Sequence, residues 1–305
     1  MENSIKKSIK MNKKKNGGLM YKFGVWDVII YIVMITFSLI ALYPFVYTLA
    51  GSLSYALDIT RNGPVFLIPR QFSLASYHVV LIDGRLYRSL INTIVSTIGG
   101  TVLGLTVTSG IAYALASKRL VCKKFFWTFN IIPMFISGGM IPLYITIRML
   151  GLFNNYLVYI IPSAYSVFNM IILSSFFRGI DDSLYESAIL DGASELRIWI
   201  SIYLPLAKPA LVTVALWIAV GKWNSYMQTM LYTNREESMW LLQFYLMRLI
   251  KDGDVPSDRG SDVLAINSQT LSFAAIIISS LPIMVLYPIL SKYFTKGIML
   301  GAVKG

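Results

Sequence analysis

Ser89-Leu-Ile-Asn-Thr-Ile-Val-Ser-Thr-Ile-Gly-Gly-Thr-Val-Leu-Gly-Leu-Thr-Val-Thr-Ser-Gly-Ile-Ala-Tyr-Ala-Leu-Ala-Ser117 runs without one charged side chain. A helix needs about 20 mostly apolar residues to cross the hydrocarbon core of a bilayer, and this stretch exceeds that. Small residues recur at every fourth position: Gly100, Gly104, Thr108, Ala112 and Ala116. Such a stripe lets another helix backbone approach closely, so it is read as a packing surface rather than a substrate site.

Outward from this stretch the pattern repeats. Val28 to Ala50, Phe125 to Ile147, Met149 to Phe177 and Val263 to Ser291 are also free of charge, and Pro209 to Thr233 carries only Lys222. The chain is 56% apolar and 14% charged, against about 25% charged in ordinary soluble domains. These runs predict an all-α polytopic membrane bundle of about six transmembrane helices, since Gly, Ser and Pro are tolerated inside such helices. The first run is too long for the apolar region of a signal peptide and lacks a small-residue cleavage site after it, so it is read as the first anchored helix. A single Cys122 excludes an intramolecular disulfide, and with His78 as the lone histidine no His/Cys metal cluster is expected.

Net charge is +12, which in a soluble protein would suggest nucleic acid. Topology accounts for it without a nucleic-acid partner. With six crossings and a cytoplasmic start, 17 of the 27 basic residues fall on the inner side, in residues 1–24, 118–124, 178–208 and after 291. Nine fall outside, and Lys222 alone lies within a span. This bias predicts both termini in the cytoplasm of a cell-membrane protein, with the basic tail 1–24 held near anionic lipid and the membrane domain at 25–305. The outer segment Gly51 to Arg88 carries turn signals at Arg61-Asn62-Gly63-Pro64 and Ile68-Pro69-Arg70. The last outer loop, 234–267, opens with the apolar run Met239 to Met247, too short to span and expected as an interfacial helix.

The inner loop 178–208 has order of its own. Ser183-Leu-Tyr-Glu186 forms a capping-box pattern, Gly192 is placed to end the short helix that follows, and a second helical run from Ser194 ends at Pro205. A helix–turn–helix is therefore expected on the inner face, presenting Leu184, Tyr185, Ala188 and Ile189.

The spacing within this loop is more telling. Glu186-Ser187-Ala188 is followed by three residues, then Gly192, then nine residues, then Ile202-Tyr203-Leu204-Pro205. This resembles the EAA loop of ABC importer permeases and departs from it only at Ser187. Asp191 and Ala193, the pattern Gly221-x-Trp223-Asn224 and the C-terminal run Tyr293 to Gly305 resemble the carbohydrate-uptake branch. The likeness extends over nearly the whole chain from about residue 25 and is similar to the smaller permease subunit of the maltose importer. Ser137 to Tyr144 resembles a subgroup linked to complex oligosaccharides.

The resemblance implies a type I ABC importer permease that is not itself an enzyme; the chain contains no GxxxxGK[ST] phosphate loop. It implies ATP and Mg on two separate ATPase subunits, and no cofactor on this chain. It also implies a homologous second permease, an extracellular solute-binding protein and a sugar substrate. Glu186, Ser187, Ala188, Asp191, Gly192, Ile202, Leu204 and Pro205 would couple to the ATPase. Lys251, Asp252, Asp254, Asp258 and Arg259 would dock the binding protein.

Sugar sites combine aromatic faces with a few amides and hydroxyls, which makes Trp223, Asn224, Tyr226 and Gln228 candidates for the substrate pathway. Asn224 serves equally as an interhelical hydrogen-bonding residue. Lys222, costly at mid-membrane depth, would face an acidic sugar or pair with an acid of the partner permease. Two alternatives differ in class or cargo: a permease for a non-sugar solute, and an ion-coupled secondary transporter. The second requires an intramembrane acidic relay, and the six runs contain no Asp or Glu.

Overall fold

The computed structural model describes residues 24–64, 67–82, 84–252 and 266–302. They are mainly helical, with no β-strand among them beyond one antiparallel bridge between Ser54 and Phe72. Two compact units emerge, Met1–Tyr47 and Thr48–Gly305. The described part of the first is most of helix α1 (Val25–Ser52). Its start is marked by the Asp27 carboxylate, which accepts the Gly24 N–H at 2.7 Å. Apolar side chains are exposed on successive positions of α1, from Ile29 and Ile32 to Leu39 and Leu42, as lipid permits and water does not.

The second unit begins with α2 (Ala56–Asn62) and α3 (Ala75–Ile82), so the outer segment is folded rather than a bare loop. Gly63 takes a left-handed φ of 77° at the end of α2, and Arg70 donates to the carbonyls of Asn62 and Gly63 at 3.1 and 3.2 Å.

The centre of the unit is α4 (Gly84–Ala116). Its small-residue stripe, Gly100 to Ala116, is buried as the spacing predicts. A Cβ placed on Gly100 would sit 2.7 Å from Lys222 Cε, and one on Gly104 would sit 3.4 Å from Ile218 Cδ1. Side chains of helix α10 (Lys208–Trp223) therefore pack directly onto the glycines of α4, with the Lys222 stem in the space a Cβ at Gly100 would take.

Three of the expected straight spans are broken. The third stretch divides into α5 (Lys123–Phe135) and α6 (Met140–Met149), bent by 113°. The break falls at Ser137-Gly138-Gly139, where Gly139 has a φ of 84° and its N–H is accepted by Ser137 Oγ. The fourth is two 3₁₀ turns, Tyr156–Tyr159 and Ile161–Ser163, followed by α7 (Val167–Arg178) at 49°.

The inner loop contributes α8 (Asp182–Leu190) and α9 (Glu195–Leu206), and an 86° bend at Ala207 leads into α10 (Lys208–Trp223). The fifth run therefore stops as a regular helix at Trp223, ten residues before the charge-free sequence ends. The last two helices are α11 (Leu242–Asp252) and α12 (Ser268–Ala302). By length and composition α1, α4 and Ser268–Val285 can each cross a membrane, and the three bent pairs bring the total to six.

The run after Met239 forms a helix, as expected, and that helix packs on the bundle. Leu242, Phe244, Tyr245, Leu246 and Leu249 are buried against Val79, Val80, Trp223 and Leu271. The segment is pinned to α4: Thr93 Oγ1 accepts the Leu242 N–H at 2.8 Å, and Asn92 donates to the carbonyls of Ser238 and Trp240.

Candidate functional site

The inner loop folds as the helix–turn–helix its sequence suggests, with two changes of detail. The cap of α8 is Asp181, whose carboxylate accepts the Ser183 N–H at 2.9 Å. Ser183 therefore lies inside the helix, and Glu186 turns to Arg119, 3.8 Å away, instead of closing a capping box. The helix ends as a Schellman motif. Gly192 has a φ of 77°, its N–H bonds the Ile189 carbonyl, and the Ala193 N–H reaches back to Ala188, each at 2.9 Å. A side chain on Gly192 would meet open space, so what excludes one is the left-handed backbone. Ser194 then caps α9 by accepting the Arg197 N–H.

The second change concerns where α9 ends. It widens into a π turn over Trp199–Tyr203 and continues through Pro205 to Leu206. Ser187 bonds the Ser183 carbonyl at 2.8 Å, while Asp191 and Pro205 are exposed and Ile202 and Leu204 half-buried. Tyr185 and Ala188 point into the core, and Leu184, Ile189 and Leu190 point out. The outward face is thus a narrower apolar set than the sequence predicts.

What fixes the loop to the bundle is Glu195. One of its carboxylate oxygens accepts from Tyr113 at 2.6 Å, on α4, and the other from Tyr185, on α8. Tyr203 packs edge-on against Tyr113 and Phe177, with ring centroids 4.8 and 5.8 Å apart. The Arg119 guanidinium lies 4.1 Å over the Tyr185 ring, and Lys118 pairs with Asp182. The bond to Glu195 holds the Tyr185 phenol above its ordinary pKa, and the Asp182 carboxylate raises the Lys118 ammonium. Sequence reading missed Glu195, because an acid in the first turn of a helix is ordinary there and nothing local marks the two phenols as its partners.

A second polar centre lies at Lys222. The residue is 6% exposed, and its ammonium donates to the Tyr159 carbonyl and the Ser163 hydroxyl. Tyr159, fully buried, donates in turn to the Met239 carbonyl at 2.8 Å and shares hydrogen bonds with Thr229 and Thr233. Within its own chain the Lys222 ammonium has these two neutral acceptors, and among the described residues no carboxylate is paired with it. Trp223 is buried beside it. Asn224 caps the end of α10, bonding the Val220 carbonyl and lying 3.5 Å from Gln243. Gln228 is half-buried. Tyr226 and Lys251 line an open groove of about 560 Å³ with Met230, Gln243 and Met247. Asp252 ends α11, and Asp254, Asp258 and Arg259 lie outside the described residues.

Residues 100–300 match the family model described as the binding-protein-dependent transport system inner membrane component. The chain belongs to that family. Among its relatives is the polygalacturonan/rhamnogalacturonan transport system permease YtcP of Bacillus subtilis, 35% identical over 93% of this chain and 100% of the relative. Protein LplC of the same organism is 36% identical over 87% and 90%. A chain in the crystal structure of a bacterial ABC transporter involved in the import of the acidic polysaccharide alginate is similar at a TM-score of 0.83. It is 34% identical, with 88% of this permease and 96% of that chain covered.

Two substitutions test the two polar centres of the permease. Glu195→Ala leaves two phenols without their acceptor, at a cost of about 1.5–3 kcal/mol for bonds to a charged group. Amide hydrogen exchange across residues 182–206 should accelerate by at least tenfold while α4 is unchanged. Lys222→Met keeps length but strips the Tyr159 carbonyl and Ser163 hydroxyl of their donor. It should lower the unfolding temperature in detergent and reduce uptake of charged and neutral sugars alike. Selective loss of acidic sugars would instead assign Lys222 to the pathway.

Proposed function

We propose that this permease forms half of the translocation path for an acidic oligosaccharide, paired with a homologous second permease. The observation that carries the reading is the full-length likeness, at 34–35% identity, to an alginate importer chain and a polygalacturonan permease. Both proteins are named for uronate-rich polymers. With Lys222 turned inward, the charge partner of such a substrate would come from the second permease. The open groove at Tyr226, with Asn224 at its edge through Gln243, is the part of this chain best placed to meet the sugar. Aromatic and amide groups there suit C–H faces and hydroxyls.

On the opposite face, α8 presents Leu184, Ile189 and Leu190 to one of two ATPase subunits, which bind ATP and Mg. The Glu186–Gly192 turn and the Ile202–Pro205 segment set the angle of α8. Rocking of the two permeases would alternate access to a central site. An extracellular binding protein would deliver the sugar to the side that carries Lys251 and Asp252. Both termini would lie in the cytoplasm of a multi-pass cell-membrane protein, because the basic residues concentrate on that side.

Uptake by cells carrying the importer, measured for labelled oligogalacturonides and alginate oligomers against neutral oligosaccharides of equal length, tests the substrate class. Acidic oligomers should be taken up and should compete with one another; uptake of only neutral ones would refute it. Orientation is read from Cys122, which is exposed. A membrane-impermeant maleimide should leave it unlabelled in intact cells and label it after permeabilisation.

A further inference from the structure

A cavity of about 260 Å³ opens where α4 ends and α5 begins, under α8. Four cationic side chains line it, Lys118, Arg119, Lys123 and Arg178, against two carboxylates, Asp182 and Glu186. Their pairing leaves capacity for an anion. Arg119 stands 3.8 Å from Glu186, beyond hydrogen-bond reach, and both side chains are more than half exposed. Lys123 donates to the carbonyls of Ala116 and Ser117 at the end of α4. Arg178 donates to Ser174 at 3.3 Å and lays its guanidinium 4.6 Å from the Trp127 ring, so most of its five N–H donors remain open. Like charges held this close repel, and an anion with several acceptor oxygens relieves the repulsion.

The position of the cavity names the class of anion. It sits at the ends of two segments able to cross a membrane, with Trp127, a residue type enriched at membrane interfaces, beside Arg178. The same two helix ends wall an open apolar groove of about 520 Å³ lined by Leu120, Phe125, Phe126 and Phe129. Basic pockets between transmembrane helices on the cytoplasmic side suit anionic lipid headgroups. We propose that this cavity binds a phosphate group carried by an anionic phospholipid, with an acyl chain in the adjoining apolar groove. Because Asp182, Tyr185 and Glu186 of α8 form one wall, the bound headgroup steadies the helix that faces the ATPase. The proposal rests on reading this face as cytoplasmic.

The test uses the assembled importer in nanodiscs of phosphatidylcholine containing phosphatidylglycerol, with retained lipid counted by native mass spectrometry. Wild type should retain phosphatidylglycerol in preference to phosphatidylcholine. Retention by the Arg119→Gln/Lys123→Gln double variant should fall more than about tenfold, as expected when two cations are removed from a site for an anionic lipid. Arg197→Gln removes one exposed charge of the loop 178–208 outside the cavity and should retain lipid normally. Should the double variant fail to assemble, Arg178→Lys keeps the charge, removes the planar fork and should still weaken retention. Equal retention in all variants, or no preference for the anionic lipid, would overturn the proposal. So would occupancy by added inorganic phosphate with no lipid retained, which would mark a site for a soluble anion. Both leaflets of a nanodisc carry the lipid, so failure here is distinct from failure of the orientation read at Cys122.

Discussion

Close approach of α10 to α4 at Gly100 is the constraint on which the rest of the permease depends. A Cβ at that position would stand 2.7 Å from Lys222 Cε, so the lysine stem occupies the space glycine vacates. From there its ammonium reaches the Tyr159 carbonyl and Ser163 hydroxyl and holds the broken fourth segment to the bundle. In lipid an unpaired backbone carbonyl costs several kcal/mol, and a buried ammonium without acceptors costs more. Each group offsets the other. The interior can hold a charge with no acid beside it because the 3₁₀ turns expose carbonyl oxygens that a straight helix would consume.

The helix α4 carries this contact near its middle and a polar clamp near each end. Asn92 and Thr93 hold the segment leading into α11, and Tyr113 meets Glu195 in the inner loop. A helix rises 1.5 Å per residue, so these clamps stand roughly 30 Å apart on one stiff element. Displacement of the inner loop therefore acts on the rod to which the outer segment is fastened. In the proposed function this rod would couple ATP hydrolysis on one face to sugar access on the other.

Charge-free runs made the membrane helices legible, and the four-residue repeat of small side chains located the α4 packing face. The breaks were not legible, because lipid tolerates Ser and Gly within spans and hydropathy carries no information on the φ of Gly139. At the inner loop, Gly192 was readable as a left-handed stop, but the cap was assigned two residues late, at Ser183 instead of Asp181. Asp181, Asp182 and Ser183 are all competent caps, and only the extended backbone at Asp181 decides among them. Lys222 stood out as a lone charge, yet its partners, a carbonyl and a hydroxyl some 60 residues away, have no signature in sequence. Glu195 was hidden for the same reason: its phenols come from α4 and α8.

In the proposed function the loop between α7 and α10 transmits force; the Glu195 clamp ties it to α4, and the left-handed turn at Gly192 aims α8. Gly192 isolates this, since a side chain there would touch nothing while a φ of 77° disfavours any β-branched residue by about 1–3 kcal/mol. The decisive measurement is binding-protein-stimulated ATP hydrolysis and sugar uptake by the reconstituted importer carrying Gly192→Val. The account predicts a membrane-inserted permease in which stimulation and uptake both fall by at least tenfold. Normal stimulation with normal uptake would contradict it.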